Sequence, residues 1–572
     1  MFLRKMKNKK TGRIYLSIVQ SYRDKETKKT RSKTIQSLGY LDELEKEYTD
    51  PVSHFKDEIR KMNQEQAEKD TSITLSMDKN QRLQKDETNR KNLGYAALSK
   101  VYHELGIHTF LKNRQRHTNS DYDANSIMKL LTYGRLLYPA SKKHTYEMKD
   151  TFFEKTDFSL DDVYRCLSFL NKHKDELQRW MHKRIQEQYG RNTSLVYYDV
   201  TNYYFEIDEQ DDVRRKGVSK EHRPDPIIQM GLFMDTDGIP ITYGLHPGNM
   251  LDKQTFIPML REIQKNFDLG RTIVVADKGM TTGDNIWYTL SANNGYILSY
   301  SIRGANRKFK EYVLNQNGYR SIGEDFKIKS RLEPREITVT SRSGKKIKKQ
   351  VDEKQVIFYS RKYAQKAKAD RAEALHKAKD LVNNPSKYNK ATTYGAAKYV
   401  KNLAYDKKTG ELLKNSQKTL FFDEEKLRKE EELDGYYAIM TSEYKETDEK
   451  IIDLYRGLWK IEESFKITKS DISSRPVYLS RQEHIESHFL TCFVSLVIAR
   501  LLERRLAGKY SVKSILESLQ KASCSHLQEN YYLLDTFDDV LMDIKEKLGI
   551  DLGQKYMSLK EIKKILGETK IS

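Results

Sequence analysis

The chain has 572 residues, with 103 Lys plus Arg against 82 Asp plus Glu and a formal charge of +21. At ~100–200 residues per domain this is several domains, and 37% apolar residues with 32% charged residues and a mean hydropathy of −0.79 supply real cores while excluding a membrane protein. Cys166, Cys492 and Cys524 lie far apart and form no CxxC, which excludes a zinc motif and a disulfide framework and points to a reducing, cytoplasmic setting.

The first 40 residues hold twelve Lys or Arg and only two acids, Asp24 and Glu26, a surplus of +10. Charge of this density attracts polyanions, nucleic acid before ribosomes or membrane surfaces. The start MFLRKMKNKKTGR has no apolar core of a secretory signal. The longest apolar run, Phe489 to Ala499, stops at Arg500, too short to span a bilayer, so no membrane partner is expected.

In chain order, residues 1–45 alternate as strands around the charged turn DKETKK (Asp24 to Lys29) and predict a small basic β-hairpin or meander. Residues 46–92 are polar, broken by Ile73-Thr-Leu, and read as a helix plus linker. Residues 93–190 are helical: Leu98, Val101, Tyr102 and Leu105 share one face before Gly106, Ile127 to Leu137 forms a second helix, and Leu177 to Tyr189 a third that ends at Gly190. Over 191–302 the character changes to β-branched and aromatic residues, and the order is β-β-β-α-β-α-β, with an Asp-Gly turn at Asp237-Gly238 between the second and third strands. Hairpin-linked strands followed by αβ units make an α/β mixed sheet covered by helices. Residues 303–443 read as a β-rich inserted domain, basic from Arg307 to Lys349 where thirteen cations face five acids. Residues 444–510 return to helices, Glu446 to Lys469 and Arg481 to Leu506, and 511–572 form a helical tail.

Two carboxylates stand out on strands: Asp199 within Val196-Tyr-Tyr-Asp-Val-Thr, and Asp277 at the end of Ile273-Val-Val-Ala-Asp-Lys-Gly. A carboxylate on a buried strand is costly unless paired or bound to a cation, and ligands gather at strand ends in such sheets. Capping of the following turn is the competing reading for either residue alone. Together they are stronger, because the first and fourth strands of such a sheet are commonly adjacent. A third acid lies on a helix: Tyr455, Glu462 and Lys469 are seven apart, and a heptad step drifts only ~20° around a helix, so they share a stripe with Leu458 and Phe465. The competing reading is a surface Glu462/Lys466 pair. No GxxxxGK[ST], GxGxxG or HExxH motif is present, so neither a nucleotide cofactor nor a zinc site is implied.

With these residues in view the chain resembles the bacterial insertion-sequence DDE transposases that have an RNase H-like core, a large β-rich insertion before the last acid, and a Y-x2-R-x3-E-x6-K signature. Tyr455, Glu462 and Lys469 match that signature, Leu458 stands at its Arg position, and Arg456 is the nearest cation. YYDVTNYYFE, VVADKGM and DGYYAIMTS provide the rest of the match. The resemblance implies an RNase H-like fold in which Asp199, Asp277 and Glu462 hold two Mg2+ or Mn2+ ions for phosphodiester cleavage and strand transfer. It further implies that Tyr455, Lys469, Lys278, Arg456 and Lys466 contact DNA, with the N-terminal region, including the helical DNA-end-binding residues 93–190, on the terminal inverted repeats of the element and a dimer in the DNA complex. A nuclease that cuts without joining and an inactive DNA-binding derivative are the rival expectations.

Overall fold

The computed structural model describes residues 1–572 apart from 9–10, 24–29, 70–74, 76–78, 81, 83–84, 86–87, 117, 222, 389–391, 394, 405–419 and 572. The expected DKETKK turn, most of Ile73-Thr-Leu, and the start of a strand expected near Lys418 lie outside the described residues. The chain divides into two compact units, 1–87 and 88–572.

The first unit is an antiparallel three-stranded sheet, β1 (Phe2–Lys7), β2 (Ile14–Arg23) and β3 (Thr30–Tyr40), followed by helices α1 (Leu41–Leu44) and α2 (Pro51–Lys69). Leu16 to Val19 are buried in succession where bulges interrupt the β2–β3 pairing, and Leu16 packs with Leu44 and Phe55. Arg13 is held by Asp42 at 2.8 Å and stacks on Tyr40.

The second unit begins with β4 (Arg90–Asn92) and the helices α3 (Tyr95–Glu104), α4 (Ile107–Gln115), α5 (Ala124–Leu137), α6 (Lys142–Glu147), α7 (Leu160–Lys172) and α8 (Lys174–Tyr189). Then come β5 (Leu195–Tyr204), β6 (Ile227–Asp235), β7 (Pro240–Pro247), α9 (Asp252–Asn266), β8 (Ile273–Ala276), α10 (Gly283–Ser291) and β9 (Gly295–Tyr300), in the expected order. Further on are α11 (Arg307–Leu314), β10 (Arg320–Ser321), β11 (Phe326–Leu332), β12 (Arg335–Thr340), β13 (Lys346–Val351), β14 (Lys354–Ser360), α12 (Arg361–Asn383), β15 (Val400–Lys401), β16 (Phe421–Phe422), α13 (Glu424–Glu431) and β17 (Tyr436–Thr441). The chain closes through α14 (Asp448–Arg456), α15 (Trp459–Lys466), α16 (Gln482–Arg505), α17 (Val512–Lys521), β18 (Ser523–His526), β19 (Tyr531–Leu534), α18 (Asp539–Leu548), β20 (Tyr556–Ser558) and α19 (Leu559–Glu568).

Among the described residues one nine-stranded mixed sheet runs in the order β10-β11-β14-β17-β9-β8-β5-β6-β7, with β5, β8 and β9 parallel and the other pairs antiparallel. Helices cover both faces. Val196, Tyr198 and Val200 pack with α9, α10 and α11 on one side, while Leu195, Tyr197 and Tyr203 pack with α15, α16 and the helical region on the other.

Three sequence expectations change. The stretch read as an inserted domain does not stand apart: β11, β14 and β17 carry hydrogen bonding outward from β9, because Ile328, Val356 and Ile439 alternate into the main core. The tail is not all helix, since β18, β19 and β20 form a four-stranded sheet with β4, which the linker reading also missed. The single helix expected from Glu446 to Lys469 is broken at Gly457-Leu458 and continues after α15 as a π turn, Ile467–Asp471. The apolar run at Phe489 belongs to α16, a helix long and apolar enough to cross a membrane, but 94% of its apolar window is buried inside the protein.

Candidate active site

The parallel ladder between β5 and β8 pairs Leu195 with Ile273 and ends with Tyr198 beside Ala276. Asp199 and Asp277 are the next residues after this last pair, and Asp277 is one of the charges that raises the Asp199 carboxyl. Both follow the parity of Tyr197 and Val275, whose side chains enter the core on the α15 side. The two acids therefore project from one face of the sheet at the carboxyl ends of adjacent parallel strands.

Helix α15 is laid along β5 on that same face. Its approach is set by Gly457, where an added Cβ would lie 1.8 Å from the Tyr197 hydroxyl, so only glycine lets the α14–α15 turn rest on the tyrosine ring. At the far end the Tyr203 hydroxyl bonds Thr468 Oγ1 at 2.9 Å. Glu462 lies between these two anchors, as Asp199 lies between Tyr197 and Tyr203. Adjacent Glu463 is committed elsewhere, paired with Arg500 at 2.9 Å. Glu462 is exposed and free of that structural role.

Electrostatics tie the group together. Burial pushes the Asp199 carboxyl up to about 6, Lys220 opposes the rise, and Asp277 and Asp252 add to it. The backbone N–H of Val200 donates to Asp199 Oδ1 at 2.7 Å. Ser299 donates to Asp277 Oδ1 at 2.9 Å and the Tyr455 hydroxyl to the same oxygen at 3.4 Å. Tyr455 is raised by burial first, and also by Asp277 and Glu462. Among the described residues no three His, Cys, Asp or Glu side chains close around a point where an ion could sit.

The remaining expected residues divide. Asp277, Lys278 and Tyr455 line one cleft of about 210 Å³ with Ser299 and Arg303. Lys469 lies over the Tyr203 ring and is paired with Glu221 at 3.1 Å, burial drawing its ammonium down. Arg456 turns away from the acids, to Asp453 at 3.4 Å and over Phe326, and Lys466 is exposed. Leu458, at the family's Arg position, is 8% exposed and packs in the main core. Sequence reading missed Gly457, Tyr197, Lys220 and Ser299. Only Gly457 carried a local signal, a glycine inside an amphipathic helix.

Residues 3–72 match the N-terminal domain of the IS1634 family of transposases, and residues 214–498 match the transposase DDE domain. The chain belongs to the DDE transposases of insertion sequences. It is a DNA-processing enzyme. No curated protein matches the transposase. Among solved structures it is similar to a piggyBac transposase synaptic complex with hairpin DNA, at 8% identity and a TM-score of 0.32 over 84% of this chain and 85% of that one. It is also similar to a Mos1 transposase paired-end complex with the left transposon end, at 14% identity and a TM-score of 0.14 over 31% and 59%.

Proposed function

We propose that this transposase cuts the ends of its element and joins them to new DNA at Asp199, Asp277 and Glu462. The observation that supports the reading best is the parallel β5–β8 ladder, at whose end Asp199 and Asp277 follow as the next residues, with α15, which carries Glu462, packed against β5. The donor set fits hard divalent ions: all three are carboxylates, and Asp199 is desolvated next to a second acid, a cost that a cation would remove. Two Mg2+ or Mn2+ ions held by these residues would supply an activated nucleophilic oxygen and stabilise the leaving oxygen of an in-line displacement.

The chain's own residues do the rest. Ser299 and Tyr455 fix the Asp277 carboxylate through its Oδ1. Lys278 sits on the lip of the cleft, placed for the phosphate flanking the reacting bond. Lys469 exchanges Glu221 for a DNA phosphate, and Arg456 and Lys466 offer exposed cations to the flanking duplex. Double-stranded DNA is the partner, element ends first and target second, and two copies joining two ends make a dimer in the complex, in the cytoplasm where that DNA lies. The first unit, with its basic surplus, binds the terminal repeats. The test is nicking and strand transfer on DNA carrying the element's own ends, with Mg2+ or Mn2+ supplied. Asp277→Ala should abolish both; retained activity would overturn the site, and cutting without joined products would reassign the protein as a nuclease.

A further inference from the structure

We propose that the second unit holds a phosphate pocket apart from the carboxylate site, in which Arg135 and Lys142 grip a backbone phosphate of the bound DNA. The cavity, about 230 Å³, lies between the end of α5, the start of α6 and the loop 473–479. Its wall contains Arg135, Lys142, Lys143 and Arg475 together with Ser141 and Tyr164, and no Asp or Glu. Lys143 and Arg475 have carboxylate partners, Glu147 and Glu221. Lys142 and Arg135 are only 5% exposed each, and among the described residues neither is paired with an acid. Among the described residues the hydrogen-bond partner of Lys142 Nζ is His488 Nδ1, at 3.3 Å, and His488 is turned by its other nitrogen to the Ser474 carbonyl at 2.9 Å. Arg135 donates to the carbonyls of Ser473 and Ala140, which leaves its charge uncompensated.

Two cations buried side by side with no anion are strongly unfavourable. Burial, with Arg135 beside it, draws the Lys142 ammonium down to about 7, and the same surroundings hold His488 neutral. An entering phosphate supplies the missing charge and accepts from both donors. The mouth is accessible, since Lys143 is largely exposed and Tyr478 is 73% exposed. Its position favours DNA as the source: the loop 473–479 follows directly on the turn bearing Lys469, and Glu221 bridges Lys469 to Arg475 on the cavity wall. A strand gripped at Lys469 is thereby led toward the pocket. This last step rests on the transposase reading; the affinity for phosphate itself does not.

The experiment has two arms on the full chain without divalent metal. In the first, inorganic phosphate is titrated while melting temperature and amine acetylation of Lys142 are followed. Phosphate should raise the melting temperature and shield Lys142, the rise being lost in Lys142→Met and kept in Lys142→Arg. Unchanged acetylation of the unsubstituted protein overturns the pocket even if the methionine variant fails to fold. In the second, binding to duplex carrying the element's end is measured against salt. Lys142→Met should weaken it by about tenfold and reduce the slope of log K against log salt by about 1, as for one lost phosphate contact. A phosphate response with an unchanged slope overturns DNA as the occupant. Absence of any end binding by the unsubstituted protein would count against the transposase reading, with the first arm still deciding the pocket.

Discussion

In the proposed site, Asp199 is a residue on which folding and function pull in opposite directions. Its carboxyl is raised to about 6 from an ordinary 3.8, chiefly by burial, so the fold favours the protonated acid and loses up to about 3 kcal/mol as the group ionises. The penalty is absent below about pH 3.8 and complete above about pH 6. Asp199→Asn is therefore expected to raise the melting temperature of the metal-free protein at pH 7.5, with the gain vanishing at pH 4, while strand cleavage falls at least ~10³-fold; scanning calorimetry at the two pH values and a nicking assay check it. Leu458 makes the converse case. Restoring the family's residue by Leu458→Arg should not improve DNA binding but unfold locally, at a cost of about 3 kcal/mol or more, because the site is 8% exposed in the main core; thermal melting and end-binding affinity decide. Asp199 on β5 and Asp277 just past the end of β8 could be singled out from sequence, because a carboxylate in or at the end of a β-branched, aromatic run is costly unless it is paired, capping a turn or bound to a cation. Lys220, Ser299 and the Glu221 bridge were not, because each reaches the site from a segment whose local sequence has no periodicity tied to it.

At the scale of the element, β5 and α15 carry two of the three acids of the proposed site, and the approach of one to the other is set by a missing Cβ. Gly457 has helical dihedrals (φ −56°), where alanine would ordinarily stabilise by up to about 1 kcal/mol. Here the sign reverses, since the new methyl would meet Tyr197 Oη at 1.8 Å and ring carbon Cζ at 2.5 Å. Gly457→Ala is expected to cost about 1–3 kcal/mol and to cut cleavage more than tenfold by lifting Glu462 from the sheet, measured by chemical denaturation beside single-turnover kinetics. The heptad relation of Tyr455, Glu462 and Lys469 assumed one unbroken helix. The structure breaks it at Gly457-Leu458, yet Tyr455 still reaches Asp277 and Lys469 still lies over Tyr203. The break in the helix was not legible in sequence, because Gly457 is held against a tyrosine 260 residues earlier in the chain.

For the whole molecule, acid should be the weak side of stability. His103, His182 and His488 are buried, and burial draws the first two to about 3 and about 4 and the third well below its ordinary value. Each stays neutral in the fold but takes a proton near pH 6.5 when unfolded. Stability is then complete above pH 6.5 and falls as pH drops toward 4, at about 1.4 kcal/mol per pH unit per histidine; urea midpoints across that range check the slope. The fold as a whole was legible where local patterns suffice, as in the β-β-β-α-β-α-β run. It was illegible where partners are remote: Ser523 pairs with Asn92, and Tyr436–Thr441 fills the gap between β9 and β14. That sheet order also sets a schedule. Asp199 leaves the ribosome 263 residues ahead of Glu462, a delay on the order of 10–50 s at bacterial elongation rates. Until β17 has joined the sheet and α16 has filled the core beneath α15, the nascent chain already carries its basic N-terminal sheet, while the proposed carboxylate site is still unassembled.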